Sequence, residues 1–267
     1  MKEFFGIGGY QRTPEGAYSW QHLVFVFSLM AVMIGLAVFL GLRNRKRPEE
    51  TKNRVLIAAA ILIDCLEIFK ITVFCIRGDD PWGTILHNLP LFMCSIQLIT
   101  LPLAAFAKGR LKSAAIDFVF IFGILGAVFG TIGAAQNYAC YPVLSLDNVF
   151  SGVTHCISGF ASLYLAVSGM LKMEKRNIPI TFGIISGFFL VALIVNYALT
   201  PNDPNYMFVM RDDGTPYKIF YNLFGENFVY QTFFYPVIVL GLFYIAIAAF
   251  YGVYFLIQKL RAKKTAK

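Results

Sequence analysis

A thiol and an imidazole are the side chains of this sequence best suited to covalent chemistry. Cys94 and His155 both lie in apolar stretches where polar residues are scarce. The thiolate is the attacking form of cysteine, and a neighbouring histidine increases its population by accepting the proton. If the two side chains meet, they are able to attack an acyl ester and form a thioester. A single cysteine in such a stretch more often serves packing, so the pattern alone leaves that interpretation open.

A row of charged residues lies in another apolar stretch. Asp64, Glu67 and Lys70 are three residues apart, so they share one face of a helix. Ionisable groups inside membrane helices usually face a bundle interior or a water-filled cavity. The row is either a structural stripe closed by a Glu67–Lys70 ion pair or part of a functional site.

The remaining polar candidates are two amides and two histidines. Gln97 and Asn196 are positioned to form interhelical hydrogen bonds. His22 and His87, with His155, complete the histidines of the chain. They lack the close spacing of metal ligands, so no metal site is predicted.

The composition excludes a soluble protein. Of 267 residues, 58% are hydrophobic and 14% are charged, whereas soluble domains carry about 25% charged residues. A soluble enzyme, a disordered tail and a disulfide-rich secreted module are therefore excluded. What remains is a membrane protein with several passes.

Seven apolar stretches have the length of a membrane-spanning helix. Only helices or closed barrels satisfy their backbone groups in lipid, and these continuous runs favour helices. The predicted fold is one all-α transmembrane domain over 1–267, with an outer segment (1–20), an outer loop (201–231) and a basic tail (258–267). The predicted spans are His22–Leu42, Val55–Ile76, Leu89–Ala107, Ser113–Ala134, Phe150–Leu171, Ile180–Thr200 and Thr232–Ile257.

The basic residues predict the orientation. Seventeen lysines and arginines fall in the first, third and fifth connections and the C-terminal tail, against five on the other side. By the positive-inside rule, the N-terminus is outside and the tail inside. The net charge of +8 thus reflects topology rather than nucleic-acid binding.

Counting along these helices predicts a polar layer in the outer half of the bundle. Cys94 lies about five residues into the third span, or roughly 7–8 Å deep at 1.5 Å per residue. His155 lies about five residues into the fifth span and reaches a similar depth. His22, Lys70 and Asn196 come within a few ångströms of that level by the same count.

Five cysteines leave one disulfide conceivable. Cys75 and Cys140 are predicted near the same outer face, whereas Cys65, Cys94 and Cys156 lie within helices. Buried free thiols remain the alternative interpretation. No Asn-x-Ser/Thr sequon occurs, which fits a bacterial plasma membrane.

The segment around Cys94 resembles a known bacterial family. His87-Asn88-Leu89-Pro90-Leu91-Phe92-Met93-Cys94-Ser95 is similar to the Leu-Pro-Leu-His-Leu-Cys segment of YwaF-like integral membrane proteins, with Phe92 in the position of the histidine. Tyr18–His22, Thr154-His155 and Asn205–Phe208 resemble three further motifs of that family. The likeness extends from about Tyr18 to Phe255.

The resemblance implies a function. The YwaF-like family is similar to a eukaryotic multi-pass acyltransferase that remodels ether phospholipids through a cysteine and a histidine. It implies Cys94 as nucleophile and His155 as general base and acid, with His22, Glu67 and Asn196 in support. The expected partners are phospholipid and lysophospholipid, with no cofactor and no nucleic acid.

A different class of function remains open. A transporter or receptor-like bundle would use Asp64, Glu67 and Lys70 as an ion or proton path, although no inverted repeat is present. Retinal binding is disfavoured because the seventh span has no lysine for a Schiff base.

Overall fold

The protein is all-helical in the parts that the structure describes. The computed structural model describes residues 2–199 and 204–265; Thr200 of the sixth predicted span, the start of the outer loop and the last two tail residues lie outside them. No strand occurs in the described ranges. Their α-helices are α1 (Lys2–Phe5), α2 (Trp20–Asn44), α3 (Glu49–Arg77), α4 (Pro81–His87), α5 (Gln97–Phe106), α6 (Gly109–Phe129), α7 (Ala135–Cys140), α8 (Leu146–Ser168), α9 (Ile178–Ala198), α10 (Lys218–Tyr221) and α11 (Tyr235–Thr265).

Within the described residues, five helical segments are long and apolar enough to cross a membrane: Trp20–Asn44, Gly109–Phe129, Leu146–Ser168, Lys175–Ala198 and Tyr230–Lys264. Helix α3 has the length, but Asp64, Glu67 and Lys70 fall in its middle. Helix α5 is apolar and has only 10 residues.

The third predicted span is the main correction to the secondary structure. A continuous helix over Leu89–Ala107 is wrong, because residues 90–96 form turns and α5 begins at Gln97. The depth of Cys94 counted along that helix is therefore wrong too. The count for His155 also changes, because α8 begins at Leu146 rather than Phe150. Ser145 sets this start by accepting a hydrogen bond from the Asn148 N–H (3.3 Å).

The chain forms two compact units, Met1–Lys172 and Met173–Lys267. In the first unit, α8 packs against α2, α3 and α6. Small residues allow this close approach: a Cβ added at Gly123 would lie 2.1 Å from the Ser162 hydroxyl, and one at Gly159 would lie 2.6 Å from Ala127. Small side chains are typical of helix interfaces in membranes, where packing drives association.

The C-terminal end of α3 and the N-terminal end of α8 are joined by a polar cluster, called the Arg77 network (Tyr10, Arg77 and Asp147). Arg77 donates two hydrogen bonds to the Asp147 carboxylate, at 2.7 and 2.6 Å. The Tyr10 hydroxyl also donates to Asp147. Arg77 further donates to the Phe5 carbonyl at 3.4 Å, so the network holds the N-terminal segment against α3 and α8.

The second unit contains α9 to α11. Two hydroxyl pairs join α9 to α11: Thr181 with Tyr251 at 3.1 Å, and Ser186 with Tyr244 at 2.5 Å. A π-helical turn at Tyr230–Phe234 leads into α11.

All five cysteines are free thiols. The conceivable Cys75–Cys140 bridge is therefore not formed. Cys75 instead lies 3.6 Å from the Pro81 carbonyl, to which its thiol donates.

Candidate active site

Cys94 is positioned by a tight turn in front of α5. The Ser95 hydroxyl accepts from the Phe92 N–H at 3.0 Å, and the Ile96 N–H donates to the Phe92 carbonyl at 3.0 Å. Cys94 thus lies three residues before Gln97, the first residue of α5. The positive end of the helix dipole favours negative charge at such a position.

His155 is held in one tautomer by its own helix. Its Nδ1 lies 2.6 Å from the Ser151 carbonyl, one turn earlier on α8. A carbonyl oxygen only accepts, so Nδ1 carries the proton and donates. The unprotonated nitrogen is therefore Nε2, which is available as a base.

The thiol and the imidazole come together in the first unit. The Cys94 thiol and the His155 ring lie close enough to influence each other electrostatically. Both side chains line a cavity of about 60 Å³, which has room for a few water molecules or one small polar group. The other lining residues are Ile63, Glu67, Lys70, Ser95, Leu98, Ser151, Thr154 and Ser158.

An ion pair forms one wall of the cavity. The Lys70 Nζ lies 2.6 Å from a Glu67 carboxylate oxygen, and both side chains are largely buried. The Lys70 ammonium also acts electrostatically on Cys94 and His155. The expected pairing along α3 therefore occurs, and it places a positive charge beside the thiol.

Asp64, the third member of the row, differs from its neighbours. One of its carboxylate oxygens is buried without a hydrogen-bond partner among the described residues. Asp64 is also absent from the lining of the cavity. Of the three residues in the row, Glu67 and Lys70 form an ion pair at the cavity, whereas Asp64 lies outside its lining.

Two other predicted site residues have partners elsewhere. Gln97 is fully buried, and its carbonyl oxygen accepts from Thr100 at 3.2 Å. His22 lies between Tyr18 and Thr131, hydrogen-bonded to both backbones. The structure brings neither side chain into the lining of the cavity.

Asn196 belongs to the second unit, where its side chain is hydrogen-bonded to the backbone of Tyr206. Its amide nitrogen donates to the Tyr206 carbonyl at 3.1 Å, and its oxygen accepts from the Tyr206 N–H at 2.9 Å. This reciprocal pair joins the C-terminal part of α9 to Tyr206. The supporting role suggested for Asn196 in catalysis stays a prediction.

Sequence reasoning missed the hydroxyl residues of the site. Ser151, Thr154 and Ser158 line the cavity from α8, and Ser95 lines it from the turn. Their spacing around His155 was a usable signal, since residues three or four apart share a helix face. Ser95 carried no such signal because residues 90–96 are not helical.

The sequence profile of the TMEM164 family matches residues 17–254. The chain belongs to the TMEM164 family. No curated protein and no solved structure is significantly similar to it. With its apolar helices, this TMEM164-family chain is an integral membrane protein with several passes. The matched range includes Cys94, His155, Glu67 and Lys70, so the whole candidate site lies within the family region.

Proposed function

We propose that this TMEM164-family protein is a membrane lipid acyltransferase or acyl hydrolase that works through a thioester on Cys94, with His155 as general base and acid. One observation carries the proposal: the thiol and an imidazole with a free Nε2 meet at one cavity. The likeness to YwaF-like proteins and to the ether-phospholipid acyltransferase supports the same chemistry.

The first half-reaction transfers the acyl group to the protein. His155 Nε2 takes the Cys94 proton, and the sulfur attacks the ester carbonyl carbon of a phospholipid. The resulting oxyanion collapses, the carbon–oxygen ester bond breaks, and the protonated His155 returns its proton to the leaving alkoxide. The products are the thioester and a lysolipid.

The second half-reaction releases the acyl group. Nε2 removes a proton from an incoming lysolipid hydroxyl or from water, and the oxygen attacks the thioester carbonyl. The carbon–sulfur bond breaks, and the Cys94 thiolate recovers its proton from His155. A lysolipid gives acyl transfer, whereas water gives hydrolysis.

Two groups stabilise the oxyanion in this scheme. The Lys70 ammonium supplies a positive charge beside the thiol. The backbone N–H groups of Met93 and Ser95 have no acceptor within residues 2–199 and 204–265. Preorganised donors of this kind contribute about 3–4 kcal/mol to such reactions.

The topology proposed for this function has seven passes. Helix α3 adds one to the five apolar spans. The turns of residues 90–96 and α5 together make the other, since 10 helical residues cover only about 15 Å. Irregular backbone is tolerated at membrane depth where protein surrounds it. The charge count supports an outer N-terminus and a site toward the outer leaflet. The proposed location is a bacterial plasma membrane, which agrees with the absence of Asn-x-Ser/Thr sequons.

The decisive experiment traps the thioester. The purified full chain in nanodiscs is incubated with a phospholipid that carries an alkyne-tagged acyl chain. A hydroxylamine-sensitive label is expected on Cys94 and is expected to disappear in Cys94→Ala. Cys156→Ala is the matched control, because Cys156 is a free thiol on the same helix as His155. A label that survives Cys94→Ala overturns the proposal.

A transporter is the second candidate, and the lone Asp64 carboxylate favours it. A buried carboxylate oxygen without a partner is suited to exchanging a proton. In proteoliposomes, a transporter would give a proton flux that Asp64→Asn removes and Cys94→Ala does not. The opposite pattern, acyl transfer without flux, supports the enzyme.

A further inference from the structure

The ring of His155 fills the space in front of a glycine at the end of α6. A Cβ built on Gly130 would lie 1.8 Å from Cδ2 and 2.0 Å from Nε2 of His155. Non-bonded carbon atoms approach to roughly 3.5–4.0 Å. No side chain can therefore occupy position 130 while the His155 ring keeps its place.

The backbone at Gly130 does not itself require glycine. Its φ and ψ are −83° and −3°, which an alanine adopts readily. The obstacle to a side chain there is the imidazole ring. Since Ser151 holds that ring through Nδ1, a methyl group at position 130 must either break this hydrogen bond or turn Nε2 away.

The end of α6 that carries Gly130 is itself fixed. The Gly130 N–H donates to the Gly126 carbonyl at 2.8 Å. The next residue, Thr131, is fully buried, and its carbonyl lies 3.4 Å from His22 Nε2. Since Nδ1 of His22 accepts from the Tyr18 N–H at 3.0 Å, Nε2 carries the proton and donates to Thr131.

The His22 ring has little freedom to move. It is fully buried and stacks on Tyr138 with ring centroids 3.7 Å apart. His22 thus binds the Thr131 carbonyl just after α6, while His155 packs on Gly130, the residue before Thr131.

We infer that Gly130 is the positioning residue that sets the His155 ring against Cys94, and that His22 stabilises this arrangement through the Thr131 carbonyl. The inference rests on the proposed use of Cys94 and His155. It assigns a role to Gly130, which neither motif nor spacing singles out. It also gives His22 a task at a distance from the reacting atoms.

The test follows the pH profile of Cys94 alkylation by N-ethylmaleimide in the full chain, read on the Cys94 peptide by mass spectrometry. Gly130→Ala is expected to lower the rate at neutral pH by roughly tenfold or more and to give the profile of His155→Ala. Gly126→Ala is the matched control, because a methyl there meets nothing within 4 Å in the described part of α6 and its neighbours. A wild-type profile in Gly130→Ala, or equal losses in both alanine variants, overturns the inference.

A double variant keeps the test valid if Gly130→Ala folds poorly. His155→Ala removes the ring, so adding Gly130→Ala to it is expected to leave the melting temperature and the alkylation rate of His155→Ala unchanged. A further loss of stability in that background would show that the glycine serves backbone packing instead, and would overturn the inference.

His22→Phe tests the link through Thr131. Phenylalanine keeps the stacking on Tyr138 but has no hydrogen bond to give to the Thr131 carbonyl. The expected result is a few-fold slower alkylation with the same direction of change as Gly130→Ala; no change would remove His22 from the inference. Neither readout needs acyl transfer, so a wild-type chain without that activity would overturn only the proposed function.

Discussion

Two polar clusters of the first unit differ in whether their polar atoms satisfy one another or stay available to react. The Arg77 network borders the larger space, an open groove of about 670 Å³, whereas the cavity at Cys94 and His155 measures about 60 Å³. In the network, both carboxylate oxygens of Asp147 accept hydrogen bonds from Arg77. At the cavity, the thiol of Cys94 and Nε2 of His155 keep their capacity to react.

The contrast teaches that cavity size is a poor guide to chemistry in this fold. A guanidinium and a carboxylate that satisfy each other stabilise structure and offer no reactive atom. The Arg77 guanidinium is also covered by the Phe74 ring, 4.3 Å from the ring centroid. The smaller cavity places a nucleophile beside a base whose tautomer is already set, so we assign the chemistry there.

The largest expected effect is that of His155→Ala on acyl transfer. Loss of the general base is expected to lower the rate by about 10²–10⁴-fold, a larger loss than the stability cost of the cavity that the ring leaves. Single-turnover acylation and thermal unfolding of the same preparation check this. An equal loss of activity and stability would show that His155 serves structure, as the Arg77 network does.

The next largest effect is that of Asp147→Ala on stability. Removal of the carboxylate leaves Arg77 largely buried without its partner and is expected to cost about 2–3 kcal/mol. Acyl transfer per folded molecule is expected to stay near that of the wild type. Thermal unfolding with activity normalised to folded protein measures both.

A double variant serves as the control for that prediction. Asp147→Leu with Arg77→Met replaces the pair by apolar side chains and is expected to recover much of the stability. If the double variant were less stable than Asp147→Ala, the network would owe its stability to something other than charge pairing.

Glu67→Gln is expected to have a moderate effect on the cavity. The amide keeps the shape of the side chain but weakens its hold on Lys70, so we expect acyl transfer to fall by about tenfold, a loss near 1.4 kcal/mol. Glu50→Gln is the control, because its partner Arg54 is exposed and such pairs contribute little. A Glu67→Gln rate equal to that of the control would remove Lys70 from the chemistry.

The smallest effect concerns the Tyr10 phenol and alkaline pH. Burial, followed by the hydrogen bond to Asp147, raises the pKa of Tyr10 above its ordinary value of 10.0. A raised pKa in the folded state means that Tyr10 contributes its stability below pH 10 and loses it as the pH rises through the folded-state pKa.

Comparison of the wild type with Tyr10→Phe tests this sign. The wild type is expected to lose more stability than the variant between roughly pH 9 and pH 12, as measured by the melting temperature at each pH. Parallel curves would show that the phenol does not titrate with folding. Acyl transfer at neutral pH is expected to be the same in both proteins.

Helix positions were predicted well where the apolar length of a single segment determines them. The stretches that became α2, α9 and α11 were read from their apolar length, and the Glu67–Lys70 pair from its spacing. The third span failed because apolar length also describes a chain that turns through residues 90–96. Turns in a buried segment depend on what surrounds them, which a hydropathy pattern does not contain.

The sequence by itself determined the membrane class, the distribution of basic charge and the residues able to do chemistry, because these follow from composition and local spacing. Only the tertiary structure decided that Cys94 and His155 meet, that Ser151 fixes the tautomer, and that Gly130 leaves room for the ring. These features join segments distant along the chain. Their geometry arises from the packing of α3, α6 and α8, which no single stretch encodes.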